Sequence, residues 1–155
     1  MSREAKIATI RDFIPRLEAL IDGLSAEQLT TPYNAPEWTV AQNVHHLADA
    51  HINSYLIFKR VLTEDAPRIQ WPDQDRLAEL PEANSPDLSY SLTILRGLHE
   101  RWALMLEAIE DWTLEGTSTG SGKTYSLDTL LDIYSRHCDA HDQQIQDVLD
   151  KMPTN

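Results

Sequence analysis

Apolar residues recur at spacings of three and four along four long stretches of this chain, and that recurrence points to a bundle of helices. Ile7, Ile10, Ile14, Leu17 and Ile21 form the first stripe, over about Arg3 to Asp22. Pro15 lies inside it, removes a backbone donor and predicts a kink. Gly23 suits the helix end. A short helical turn is expected over 25–29, then an extended connector over 31–36, because a residue before proline is driven out of the α region. Thr39, with Gln42 three residues on, is a capping box that opens a second long helix, running to Val61 or Leu62. The third opens near Asp87, and its seam is Leu88, Leu92, Leu95, Trp102, Leu106 and Ile109, with His99 in the remaining stripe position. Ser126, with Asp128 in the first turn, caps a fourth helix that ends near Asp150.

The segment from Thr63 to Pro86 carries Pro67, Pro72, Pro81 and Pro86. It is expected to wrap the surface, with a helical turn around 75–80, and so long a connection in a compact domain is often functional. Gly116 to Gly122 suits a short hairpin, and strands have little room elsewhere. The expected fold is an all-α four-helix bundle, one domain over 1–155, with a long connection between its second and third long helices.

Charge narrows the function. Asp and Glu number 25 against 13 Lys and Arg, for a formal charge of −12. Such a surface repels phosphate backbones and anionic membranes, so no nucleic-acid or membrane partner is expected. No apolar run reaches the roughly 20 residues of a spanning helix. The first residues lack the apolar centre of a signal peptide, and the only cysteine, Cys138, excludes an internal disulfide. A cytoplasmic protein is expected.

Two histidines, His137 and His141, stand one turn apart on the last helix, the spacing by which a helix offers two ligands to one metal. At about 100° per residue, both fall within the stripe of Leu130, Tyr134, Ile145 and Val148. Imidazoles facing a core need partners, since an unsatisfied buried polar group costs about 1–3 kcal/mol. A divalent metal would satisfy both, and so would buried side chains or water. A third ligand has to come from another helix. His51 lies in the middle of the stripe of Val40, Val44, Leu47, Tyr55 and Phe58; His46 and His45 lie on opposite flanks; His99 is on the third helix. Periodicity does not choose among them.

The residues around these histidines resemble a known family. Pro32-Tyr33, the run from Trp38 through His45-His46-Leu47-Ala48-Asp49 to Tyr55, Phe58-Lys59, Leu62-Thr63-Glu64, Leu98-His99, Arg101-Trp102 and the His137/His141 pair are similar to the DinB/YfiT superfamily, and more closely to its YfiT-like branch. The resemblance implies a four-helix bundle with a three-histidine metal site near one end. His46, directly before Leu47, would be the first ligand, with His137 and His141 the other two. It implies one divalent metal per chain, zinc or nickel, and positions left open for water or substrate. It implies thiol S-transfer, joining a low-molecular-weight thiol to an electrophile, or else metal-dependent hydrolysis, and pairing of bundles into a homodimer. Asp142, Gln143 and Gln144 depart from the more His-rich and apolar sequence of close YfiT relatives.

The ligand set suits that chemistry. Three neutral imidazoles leave the metal its double positive charge, which stabilises a thiolate or hydroxide near neutral pH. A metal-binding or dimerisation module without turnover is the competing reading. Asp49 and Asp139 are candidate partners for the ligands' second nitrogens, or solvated surface charges. Gly120-Ser121-Gly122-Lys123-Thr124 resembles the end of a phosphate loop, but Thr117 stands where its first glycine belongs. Cys138 replaces the catalytic Glu of a zincin protease and reads as a small core residue. Trp38 reads as a staple at the start of the second helix, and His45 and His51 as structural residues or as lining of an entrance.

Overall fold

The structure, a computed structural model, describes residues 1–153; the last two positions of the expected domain lie outside the described residues. The bundle is all-helical in its four long elements. α1 (Arg3–Arg11) and α2 (Phe13–Ile21) form the first arm, α4 (Val40–Thr63) the second, α6 (Ser89–Glu107) the third and α7 (Leu127–Leu149) the fourth. The α1–α2 arm packs on α6 and α7, and α4 packs on the same two helices from the other side. A continuous core joins them, with Phe13, Leu47, Phe58, Leu95, Trp102 and Leu130 fully enclosed. No helix among the described residues is long and apolar enough to cross a membrane.

The first arm is two helices rather than one kinked helix. The break falls at Asp12, three residues before Pro15. The proline has no N–H for the carbonyl of Arg11 and its ring crowds that carbonyl, so α1 ends there. The expected caps form, a reciprocal capping box of Thr39 and Gln42 at α4 and the Ser126 hydroxyl accepting from the Thr129 N–H at α7, and the structure adds a second box, Ser25 with Gln28, at α3 (Ala26–Thr30).

The long connection holds β1 (Arg68–Ile69), α5 (Gln74–Ala78) and a 3-10 turn over Pro81–Asn84. The hairpin over 116–122 forms from β2 (Glu115–Ser118) and β3 (Thr124–Ser126). Strand content exceeds the expectation, because β1 adds to β2 in parallel and makes a three-stranded sheet in the order β1-β2-β3. This pairing ties the connection to the bundle. Trp71, just after β1, donates from its indole to the Tyr134 hydroxyl on α7 at 2.9 Å. Residues 120–123 lie in the hairpin's turn, with Gly122 at φ 70°, and Thr124 opens β3, so the segment leads into a strand and not directly into a helix N-terminus that would cradle a phosphate.

Candidate metal centre

α4 and α7 run antiparallel along one another: Asn43 meets His141, His46 meets His137, and Phe58 meets Tyr134. That pairing brings together His46 in the second turn of α4 and the one-turn pair of α7. One ligand atom from each of His46, His137 and His141 lies within 4.8 Å of the others. The Nε2 atoms of His137 and His141 are 3.2 Å apart, and those of His46 and His137 are 3.5 Å apart. A tetrahedral zinc with bonds of about 2.0–2.1 Å sets its ligand nitrogens about 3.3 Å from one another. The two pairs that share His137 therefore have the spacing that one small divalent cation requires, and His46 and His141 lie within 4.8 Å of each other.

The hydrogen bonds behind the cluster fix its chemistry. Asn43, 1 % exposed, donates from its amide nitrogen to the Thr39 carbonyl at 3.0 Å, which orients its oxygen toward His141. His141 Nδ1 is 2.8 Å from that oxygen and must donate to it. A neutral imidazole has one N–H, so His141 Nε2 presents a lone pair to the cluster. His137 Nδ1 contacts His51 Nε2 at 3.1 Å. His46 Nδ1 is buried without a partner.

Burial keeps these groups uncharged. Desolvation is the main cause in each case: it lowers His46 to about 4 against the opposing charge of Asp75, and His137 to about 4 with help from His46. It lowers His141 to about 2, reinforced by His137 and His46, and holds His51 well below the ordinary imidazole value of 6.5. Several neutral imidazoles enclosed together, with ring nitrogens 3.2 Å apart, form a donor set that a cation satisfies.

The other candidates fall elsewhere. His45 turns outward from the cluster, to the Ser91 hydroxyl and the Ser85 carbonyl. His51, the choice of helical geometry, is fully buried beneath the cluster, so it lines no entrance. His99 lies deeper, 2.8 Å from His51. Of the two readings of the acidic residues, that of surface charges holds: Asp49 is exposed, and Asp139 pairs with Arg16 at 3.2 Å. Asn43 and His51 back the ligands instead. Trp38 is more than a staple, since its ring lies 4.7 Å from that of His46 and stacks at 6.4 Å on His141. Cys138 is fully buried, and burial pushes its thiol pKa up. The signal for Asn43 was in the sequence: an amide among Val40, Val44 and Leu47 on a core-facing helix needs a buried partner.

A cleft of about 610 Å³ opens onto this cluster, with His137, His141, Trp38 and Asn43 among its walls. Its rim carries Glu37, Asp75 and Asp147, and among the described residues neither Lys nor Arg lines it.

Comparison with known proteins agrees with this architecture. The DinB superfamily profile matches residues 10–145. A protein of Bacillus pumilus named "Putative metal-dependent hydrolase" is 36% identical over 154 residues, covering 98% of this chain and 87% of its own. A Geobacillus thermodenitrificans protein of the same name is 40% identical, covering 90% of this chain and 79% of its own. The solved structure of YfiT from Bacillus subtilis, described as a probable metal-dependent hydrolase with an unusual four-helix bundle topology, superposes with a TM-score of 0.92 at 32% identity, over 98% of this chain and 90% of that one. A mycothiol-dependent maleylpyruvate isomerase, at 20% identity and a TM-score of 0.56 over 94% of this chain and 61% of its own, shares the fold alone.

Proposed function

Because the chain belongs to the DinB superfamily, we propose that the cleft lined by the 34–38 connector, α5 and α7 is the active site of a metal-dependent enzyme whose divalent cation is held by His46, His137 and His141. The observation that carries this reading is His137 Nε2 at ligand spacing from the Nε2 atoms of both His141 and His46, with the second nitrogen of His141 tied to Asn43 and that of His137 to His51. The names of the relatives support metal dependence. Zinc and nickel are the metals proposed.

When bound, the cation supplies Lewis acidity, polarising an electrophile and acidifying a nucleophile beside it. The chain supplies the rest. Neutral imidazoles take no charge from the cation, Asn43 and His51 hold their rings, and Trp38 walls the cluster on one side. The cleft is of the size that ligand pockets have, about 300–1,000 Å³. It has room for a small thiol beside its electrophile, and transfer of that thiol is the activity proposed. The negative rim disfavours thiols that bear carboxylates and selects neutral or cationic reactants. Hydrolysis, with water as nucleophile, is the second reading, favoured by the relatives' names. Pairing into a homodimer and action in the cytoplasm complete the proposal.

The test is a screen of zinc- and nickel-loaded protein against chromogenic aryl halides with small neutral and cationic thiols, beside esters, amides and phosphoesters without thiol. Turnover that needs thiol supports transfer, and turnover without thiol supports hydrolysis. A fully metallated protein inert in every arm is a binding module and no enzyme.

A further inference from the structure

Behind the cluster, away from the cleft, three imidazoles continue in a line from His137 through His51 to His99 and end on a backbone carbonyl. His99 Nδ1 is 2.7 Å from the Ile10 oxygen, His99 Nε2 is 2.8 Å from His51 Nδ1, and His51 Nε2 is 3.1 Å from His137 Nδ1. His51 and His99 are 0 % and 1 % exposed. A carbonyl can only accept, so His99 Nδ1 carries its hydrogen. For uncharged imidazoles each following step is then forced. His99 Nε2 accepts from His51 Nδ1, His51 Nε2 accepts from His137 Nδ1, and the lone pair of His137 is left on Nε2, facing His46 and His141.

Resting on the metal-site reading above, we propose that His51 and His99 are positioning residues for His137: together they pass the polarity of the Ile10 carbonyl to the ligand, and so decide which of its nitrogens faces the metal. Ile10 lies in the last turn of α1, where carbonyls run out of helical N–H partners. The break at Asp12 therefore provides the anchor. Aromatic rings lock the imidazoles in place. Phe13 lies 5.7 Å from His51 and 5.5 Å from His99, and Trp102 lies 5.7 and 5.9 Å from the same two rings. The line is no exit for protons, because its inner end is an amide oxygen enclosed in the core. As mere core filling it is a poor choice, since apolar groups of the same shape serve a core as well or better.

The test pairs two readouts on three proteins: wild type, His99→Phe and His99→Gln. Imidazole 15N NMR of the metal-free proteins reads the tautomer of His137, and competition against a chromophoric chelator reads zinc affinity. The wild type is expected to hold the hydrogen of His137 on Nδ1. His99→Phe removes the acceptor for His51, frees the line to reverse, and is expected to raise the Nε2–H form of His137 and weaken zinc binding by about 10–100-fold, the usual loss when a ligand's partner is removed. His99→Gln, whose amide offers both an acceptor and a donor, is expected to restore both readouts. Nε2–H at His137 in the wild type overturns the proposal, whether or not the phenylalanine variant folds. So does a folded His99→Phe protein with wild-type tautomer and affinity. A wild type that keeps the Nδ1–H form but takes up no zinc supports the ordering and overturns the enzyme reading alone.

Discussion

Asn43 gives the sharpest prediction from the site. Its amide links the Thr39 carbonyl to His141 Nδ1 at 3.0 and 2.8 Å, and nothing else among the described residues accepts from that nitrogen. Asn43→Leu keeps the volume and removes the acceptor. The His141 N–H is then buried without a partner at a cost of about 1–3 kcal/mol, or it moves to Nε2 and points at the metal position. That energy corresponds to about a 5–150-fold change in the balance between the two tautomers. Zinc affinity should fall by about 10–100-fold, as it does when a ligand's partner is lost. The metal-free protein should melt lower by about 2–12 °C, at about 2–4 °C per kcal/mol for a chain of this size. Competition titration with a chromophoric chelator measures the first and thermal unfolding in chelator the second. Asn43→Asp, which keeps an oxygen for His141, should retain most of the zinc affinity. Wild-type zinc affinity in Asn43→Leu would refute the argument that the amide sets the ligand.

Further predictions concern pH, packing and reactivity. The metal-free protein should lose stability as pH falls from 7 to 5: unfolded histidines protonate near 6.5, whereas His46, His99 and His137 are held near 4, so the unfolded chain takes up more protons in that window. By pH 5 each such histidine accounts for about 2 kcal/mol, and equal denaturant midpoints at the two pH values would contradict this. Gly116 lets β2 approach the core, since a Cβ there would stand 3.1 Å from both Ile69 and Val61 side chains. Gly116→Ala should cost about 1–3 kcal/mol by overpacking, and an unchanged melting temperature would count against it. Cys138, enclosed and with its thiol pKa raised, should resist alkylation in the native protein and react only on unfolding, as read by mass spectrometry.

Much of the fold was legible because its signals are local. The stripes of α4, α6 and α7 and the caps at Thr39 and Ser126 depend on residues three or four apart. The β1–β2 pairing was not, because it joins residues about fifty positions apart and strands of two and four residues carry little pattern. The break at Asp12 was displaced from Pro15 by the reach of a helical hydrogen bond. The His137/His141 pair was readable from spacing. The third member was not: α4 is enclosed on several sides, and His45, His46 and His51 are all buried. Helical angle therefore cannot rank them, and only the family resemblance pointed to His46. Of the two readings of Asp49 and Asp139, that of surface charges holds, since Asp49 faces solvent and Asp139 faces Arg16; the partners actually present, a neutral amide and an imidazole in buried positions, were not singled out.

The measurement that bears most directly on the central claim is metal content by elemental analysis of the native protein, beside the double variant His137→Ala/His141→Ala. The arrangement of His46, His137 and His141 predicts about one zinc or nickel per chain in the native protein, and none in a folded double variant. A native protein that is empty and stays empty after incubation with zinc and with nickel would contradict it.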